Sequence, residues 1–377
     1  MDNISIKPVL TRRDMREFLL LPWSIYKKDP YWVPPLLSDL KRKLDPRFNP
    51  LLSKGPYRLF LACDSVGRPL SRLLVGVDQM INQAKDKNEG YISLFESCNE
   101  KAGILLLNHA CEWLQSLEME VNLVKGPISP TKGDDFRGLL VWGFDSPPVL
   151  MNSYNPPEYA SYFEKTDFVK DIDLFAYHYN LKKMDTRKTE RVVNYAQKRY
   201  GFQVNVLNLS QLESELMDIK YIVEKAMPED WEDLVPPNIE ELKAMALQMK
   251  DLAIPDLIPI ARSIKGEPIG FAVTLPDYNK VLQQLNGRLF PIGWAKFLLN
   301  RHRISGARVF ILFVIPEFRK KGVSGTIFYH LLLKAKELGF TYGEGSTIGE
   351  LNMPMRRDAE RAGGLHYKTY RIYKKAL

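Results

Sequence analysis

The sequence predicts a mixed α+β protein built from two successive copies of one unit, each with a mixed central sheet flanked by helices. Two observations predict this fold class. The chain has 377 residues, which is longer than a single hydrophobic core usually supports. Each half also gives the same order of elements: hairpin, strand, helix, strand, helix, strand. We therefore predict two domains, residues 1–182 and residues 183–377.

The first half opens with chain rich in Pro and Asn and continues with alternating strand and helix patterns. Short apolar runs bounded by turn residues predict strands, and apolar positions at helical spacing predict helices. In chain order the predicted elements are strands at Tyr57–Asp64, Leu70–Asp78 and Tyr91–Glu96, a helix over 101–117, a strand at Val121–Lys125, a helix at Pro156–Thr166 and a strand at Phe168–His178.

The second half repeats this order after a charged connecting helix. Its predicted elements are a helix at Met184–Gly201, a strand at Gln203–Leu207, helices at Glu213–Ala226 and Ile239–Leu252, strands at Leu257–Ser263, Ile269–Leu275 and Arg308–Ile315, a helix at Ser324–Leu338, a strand at Tyr342–Ile348, a helix at Met353–Ala362 and a strand at Tyr367–Lys374. The run Arg308–Ile315 reads RVFILFVI, so it is predicted to be buried along its whole length.

Composition narrows the possible partners and location. The net charge of +8 favours an acidic partner, such as nucleic acid, anionic lipid or a phosphorylated cofactor. No nucleic-acid-binding motif is found, so nucleic acid is not expected. The longest apolar runs are too short to span a membrane and the first residues lack the apolar core of a signal peptide, so a cytoplasmic protein is expected. Three scattered cysteines predict neither disulfides nor a metal site.

The segment Val314–Gly325, which reads VIPEFRKKGVSG, carries the clearest chemical signal. An apolar strand ends at a proline, a basic turn follows, and a helix begins at once. The first amides of a helix lack intrahelical acceptors and carry partial positive charge, so such a junction binds phosphate. The turn supplies three cations, a glycine that permits close approach and a hydroxyl: Arg319, Lys320, Lys321, Gly322 and Ser324. A solvated basic turn before a surface helix explains these generic features equally well.

The pattern Arg319-x-x-Gly322-x-Ser324 resembles the pyrophosphate loop of the GNAT N-acyltransferase superfamily, whose pattern is Arg/Gln-x-x-Gly-x-Gly/Ala. The resemblance covers roughly residues 200–377 and implies acyl-CoA binding, with a main-chain N–H of Val314 or Ile315 at the thioester oxyanion. An Asn at the place of Asn352 contacts CoA in many members, although a helix N-cap explains it too. The cofactor-binding residues are predicted to be Val314, Ile315, Arg319, Lys320, Lys321, Gly322, Val323, Ser324, Gly325 and Asn352. The first copy lacks this glycine pattern and is expected not to bind CoA in the same way.

Candidate acid–base residues follow the predicted CoA-binding helix. Strand alternation places Glu344, Ser346 and Glu350 on one face, and a carboxylate there would take the proton of the attacking amine. Ordinary turn residues explain the same pattern, and for Glu350 the two interpretations are even. His178 falls in a predicted core strand and is not predicted to be catalytic.

The resemblance implies an enzyme, an acyl-CoA-dependent N-acyltransferase in which the amine attacks the acyl donor directly. Acetyl-CoA is the expected donor because acetyl is the commonest acyl group, and longer chains stay open. The expected acceptor is a small-molecule or lipid amine, and the expected state is a monomer or weak dimer. Two alternatives stay open: a Fem-type aminoacyl-tRNA-dependent aminoacyltransferase, and a non-catalytic CoA-binding or interaction module.

Overall fold

The computed structural model describes residues 3–131, 133–228, 235–249, 253–290, 293–300 and 303–377. The chain forms two compact units. The first unit contains residues 1–175, 279–302 and 368–377, and the second contains residues 176–278 and 303–367. The predicted domain boundary after residue 182 stays a prediction about the two sequence copies, since compactness groups two later segments with the N-terminal part.

The strands and helices of the described residues alternate along the chain as follows. The strands are β1 Ser5–Pro8, β2 Tyr57–Cys63, β3 Pro69–Val77, β4 Glu89–Ser97, β5 Leu123–Gly126, β6 Leu139–Trp142, β7 Val169–Asn180, β8 Phe202–Val206, β9 Pro259–Ser263, β10 Pro268–Pro276, β11 Gly306–Val314, β12 Tyr342–Gly349 and β13 Leu365–Ala376. The helices are α1 Arg12–Ile25, α2 Leu37–Lys43, α3 Pro50–Lys54, α4 Gln79–Lys85, α5 Glu100–Gln115, α6 Tyr159–Glu164, α7 Thr186–Tyr200, α8 Leu212–Ala226, α9 Ile239–Met249, α10 Asn279–Leu285, α11 Gly293–Asn300, α12 Val323–Glu337 and α13 Met353–Arg361.

The sheet of the first unit is mixed. Strands β1, β2, β3 and β4 pair in that order as antiparallel neighbours. Strand β5 then pairs parallel to β4, and the C-terminal part of β13 pairs antiparallel to both β5 and β6. Helix α5 connects β4 to β5, as a parallel pair requires a crossover.

The second unit repeats this arrangement. Strands β8, β9, β10 and β11 pair in order as antiparallel neighbours, and β12 pairs parallel to β11. Helix α12 makes the crossover between the two parallel strands. The predicted mixed α+β class and the predicted repetition of one unit are therefore confirmed.

Apolar faces of the crossover helices hold each unit together. Helix α5 buries Leu106, Leu107 and Leu114 completely, and α12 buries Ile327 in the same way. Burying each such side chain stabilises the fold by about 2 kcal/mol. Within the described ranges, no helix combines the length and the apolar character that crossing a bilayer requires.

Candidate functional site

Strands β11 and β12 pair over only part of their length. Their ladder ends at the pair Val309–Gly345, whereas the strands themselves run on to Val314 and Gly349. Among the described residues no further pair joins them. The two strands therefore leave an opening between them beyond Val309, and this opening is termed the fork.

The main-chain N–H of Val314 points toward the fork. The N–H of Ile315 donates to the carbonyl oxygen of Ile269 at 3.0 Å, so this pair is hydrogen-bonded on the β10 side. Bonded and non-bonded pairs alternate along an antiparallel ladder, and the next pair is Gly270–Val314. Of the two amides predicted at the oxyanion, that of Ile315 is thus already bonded within the sheet, and that of Val314 faces the opening.

The predicted burial of the whole strand Arg308–Ile315 is wrong for its middle. Arg308 and Ile315 are buried, whereas the apolar residues 310–314 are partly exposed and Ile311 is 41% exposed. The physical reason is the fork, because β12 no longer covers β11 at this level. An accessible apolar wall therefore runs along β11 from the paired end toward the basic turn.

A tight turn joins β11 to α12 and leaves helix amides open. Lys320 and Gly322 have φ values of 62° and 81°, and α12 begins directly after Gly322. The first amide of the helix that finds an internal acceptor is that of Thr326, which donates to the carbonyl oxygen of Gly322 at 3.0 Å. In the part of the chain that the structure describes, no acceptor meets the three preceding amides, those of Val323, Ser324 and Gly325. Such a terminus suits an anion.

The two glycines of this junction differ in what a side chain would meet. A Cβ on Gly322 would lie 2.9 Å from the Cβ of Ala196, and its positive φ disfavours any other residue. A Cβ on Gly325 would meet no atom within 4 Å. Gly322 is therefore required by backbone conformation, whereas Gly325 leaves room beside the open amides.

Arg319 ties the turn to its surroundings. Its Nε donates to the carbonyl oxygen of Val314 at 3.2 Å, and its Nη2 donates to the carbonyl oxygen of Ala226 at 2.8 Å. The guanidinium thus joins the end of α8 to the end of β11. Its first role in this structure is to hold the turn in shape.

The other polar side chains of the turn are arranged differently from one another. Lys320 is exposed, and the ammonium of Lys321 lies 4.6 Å from the ring centre of Phe318. The hydroxyl of Ser324 donates to a carboxylate oxygen of Asp358 at 3.1 Å. Two cations of the predicted set therefore flank the open amides, while the Ser324 hydroxyl is engaged with α13.

Glu344 and Ser346, predicted to share a face, lie together in a buried polar cluster at the base of the fork. Arg308 and Glu344 are both 0% exposed, with nitrogen and oxygen 3.7 Å apart. Arg308 Nε donates to Ser346 Oγ at 2.7 Å, and the hydroxyls of Ser346 and Tyr367 both donate to the Glu344 carboxylate. Arg308 and Glu344 form the pair next to the end of the ladder. Glu344 is therefore too deeply buried to contact an amine in this conformation.

His178 lies beside this cluster and is accessible. Its ring stacks on Tyr342 with centres 5.7 Å apart and meets the ring of Tyr367 edge-on at 5.5 Å. Burial lowers the pKa of His178, while the negative charge of Glu344 acts in the opposite direction. The half-buried imidazole is thus neutral at pH 7 and able to accept a proton. Sequence reasoning missed this residue, whose one signal is its place near the end of a strand.

Glu350 and Asn352 lie apart from the buried cluster, in the turn before α13. The carbonyl oxygen of Glu350 accepts from Arg356 Nη1 at 3.1 Å, and its side chain is partly exposed. The side chain of Asn352 accepts from the amide of Met355 at 3.2 Å and caps α13. Across the described residues, no group of three or more His, Cys, Asp or Glu has an arrangement that would hold a metal ion.

Sequence comparison finds relatives that match the chain along its whole length. No protein-family model matches it. The bacterial ceramide synthase of Caulobacter vibrioides is 30% identical over 389 residues, covering 100% of this chain and 98% of that protein. Protein YghO of Escherichia coli K12 is 30% identical over 387 residues, covering 99% of this chain and 95% of that protein.

Solved structures with the same fold have much lower identity. A GCN5-related glucosamine N-acetyltransferase region of a fungal multi-domain β-N-acetylglucosaminidase aligns with a TM-score of 0.61 and 14% identity, covering 100% of this chain and 38% of that one. A tandem GNAT protein from the clavulanic acid biosynthesis pathway aligns with a TM-score of 0.59 and 11% identity, covering 99% of this chain and 98% of that one. Both show the fold.

Proposed function

Because the chain belongs to the family of the bacterial ceramide synthase and has the tandem GNAT acyltransferase fold, we propose that it transfers an acyl group from acyl-CoA to a lipid amine. The observation that carries the proposal is the fork of the second unit. Its accessible apolar wall leads from the buried Arg308–Glu344 pair to the open amides at Val323–Gly325.

The two ends of the fork suit the two ends of the donor. The coenzyme presents an activated thioester at one end of a long arm and a diphosphate at the other. The strand from Val309 to Val314 spans about 17 Å, so the arm has an extended edge along which to lie. The amides of Val323, Ser324 and Gly325, with Lys320, would hold the diphosphate.

Two groups of the second unit would serve the chemistry. The N–H of Val314 faces the fork and would donate to the thioester carbonyl oxygen as it gains negative charge. Neutral His178 would accept the proton of the attacking amine while its nitrogen bonds to the acyl carbon, and would return that proton to the departing sulfur. Glu344, fixed by Arg308, Ser346 and Tyr367, would stabilise the charged imidazolium.

The acceptor follows from the family and from the apolar wall. A ceramide is the N-acyl derivative of a long-chain amino alcohol, and the relative named for its synthesis matches this chain over its full length. The partly exposed residues 310–314 offer apolar surface to a long chain. We therefore place long-chain amino alcohols first among the acceptors, and fatty acyl-CoA before acetyl-CoA among the donors.

Thermal-shift titration with CoA, acetyl-CoA and palmitoyl-CoA tests the donor site. Saturable stabilisation is expected for the wild type. Gly325→Glu should abolish it because a carboxylate would compete with the diphosphate for the helix amides. Gly325→Lys has a side chain of similar reach and opposite charge and should retain binding, as should Gly325→Ala. Equal binding by the Glu and Lys variants would show that the diphosphate lies elsewhere.

Turnover then tests the reaction and the acceptor. Release of free thiol from palmitoyl-CoA should depend on a long-chain amino alcohol and yield its amide by mass spectrometry. Ethanolamine presents the same amino alcohol without the long chain and should react much more slowly. CoA binding without thiol release from any amine would identify a binding module rather than an enzyme.

A further inference from the structure

The first unit displays an apolar surface on α11 and the turn before it. Four large apolar side chains form it, and each is at least about half exposed: Phe290 at 74%, Trp294 at 50%, Leu298 at 49% and Leu299 at 71%. Trp294 and Leu298 are four residues apart and so share one helix face. This set is termed the α11 surface. Large apolar groups clustered in this way mark a binding surface more often than isolated exposed ones do.

The segment that carries the α11 surface is firmly attached to the first unit. Asn279 donates to the carbonyl oxygen of Pro148 at 2.7 Å, and Trp23 Nε1 donates to the side chain of Asn286 at 2.8 Å. The amide of Leu37 donates to the carbonyl oxygen of Gly287 at 3.0 Å. The apolar side chains therefore project from an anchored base.

The charge of the segment points to the kind of partner. Between Asp277 and Glu317 the sequence contains no acidic residue. Arg288 and Lys296 are both exposed beside the apolar side chains. Aromatic and leucine side chains next to cations are the composition of helices that lie in the interface of an anionic bilayer.

We propose that the α11 surface docks the protein onto the surface of a membrane containing anionic lipids. Trp294, Leu298 and their neighbours enter the boundary between headgroups and acyl chains, and Arg288 and Lys296 contact lipid phosphates. The attachment is peripheral. It requires no catalytic residue and stands independently of the proposed acyl transfer, although a lipid acceptor would be found in the same place.

Vesicle co-sedimentation of the full-length protein tests this proposal. Binding to vesicles of phosphatidylcholine with phosphatidylglycerol is expected, with weaker binding to phosphatidylcholine alone and loss at high salt. The double variant Trp294→Asp/Leu298→Asp should lose binding, and Lys296→Glu should weaken it about tenfold. Val66→Asp is the matched control, because Val66 is a 68% exposed apolar residue in a turn of the same unit, and should bind as the wild type does.

Further measurements distinguish membrane docking from misfolding and from dimer formation. All variants should keep the wild-type unfolding temperature, and Trp294→Phe should retain vesicle binding because it keeps the apolar character. A double variant that binds vesicles as well as the wild type would overturn the proposal. So would wild-type protein that ignores anionic vesicles. If the double variant instead converts a dimer to a monomer in the absence of lipid, the α11 surface belongs to a second copy of the chain.

Discussion

At the level of single residues, the proposed chemistry depends on a division between an accessible base and a buried carboxylate. Replacing His178 with Gln should reduce kcat by about 10²-fold while leaving the Kd for CoA unchanged. Burial lowers the pKa of His178, so wild-type activity should fall only below pH about 6.5, as the imidazole gains a proton. That acidic limb should vanish in the variant.

The matched control for His178 is Tyr367→Phe, which removes one hydrogen bond to Glu344 but keeps both the carboxylate and the ring beside the imidazole. It should lower kcat much less than His178→Gln does. A variant lacking His178 with an unchanged pH profile would move the general base to another residue.

Glu96 in the first unit makes stability depend on pH in a predictable direction. Burial raises the pKa of Glu96 to about 7, against the opposing charge of Arg72, and both Tyr26 and Tyr159 donate to the carboxylate. Because the folded-state pKa is raised, the stabilising effect of the proton is complete below pH about 4.5 and is lost as pH rises through about 7. This one group should lower the free energy of unfolding by about 3 kcal/mol across that interval.

Urea unfolding at several pH values measures this contribution. Glu96→Gln should remove that part of the pH dependence, because its amide oxygen can still accept from the tyrosines but cannot ionise. Exposed Glu118→Gln is the control and should keep the wild-type slope. If the Glu96 variant kept that slope, another group would be responsible.

Strand alternation predicts which residues share a face but not whether that face is covered. It places Glu344 and Ser346 together, as the structure does. It cannot show that Arg308, a neighbour only through the parallel ladder, pairs with Glu344 and buries it. The position of His178 is unpredictable for the same reason, since its contacts come from strands distant in sequence.

At the level of elements, the junction between β11 and α12 depends on Arg319. Arg319→Met removes its bonds to Val314 and Ala226 and should lower the free energy of unfolding by about 1 kcal/mol, as well as weakening CoA binding. Exposed Lys320→Met should weaken CoA binding without changing stability. Urea unfolding and calorimetric titration distinguish the two. An Arg319 variant of wild-type stability would make Arg319 a ligand-binding residue only.

Elements are predictable where local pattern and tertiary environment agree. The hairpin β2–β3 and the helix α12 begin and end within two residues of their predicted bounds, because apolar runs and turn residues coincide there. Strand β1 escapes prediction, since four residues reading SIKP carry no pattern and become a strand only by pairing with the edge of β2. Helix α11 escapes it because its apolar residues face outward instead of marking a buried side.

At the level of the whole molecule, two units of the same strand order differ at the one junction that matters for the coenzyme. In the first unit the helix after β4 is capped by Asn99, whose side chain accepts from the amide of Ala102 at 2.9 Å. Glu100 follows at the first helical position and pairs with Lys165. This terminus is already satisfied and carries a carboxylate, so it disfavours a phosphate.

The difference predicts one CoA per chain. In the second unit the corresponding position is Gly322, which offers no capping side chain and leaves the following amides open. Isothermal titration with CoA should therefore give a stoichiometry of one for the wild type and none for Gly325→Glu. Asn99→Ala should not create a second site, because Glu100 remains. Two molecules bound per wild-type chain would contradict this assignment, since the first helix terminus would then have to accept a diphosphate despite its own carboxylate.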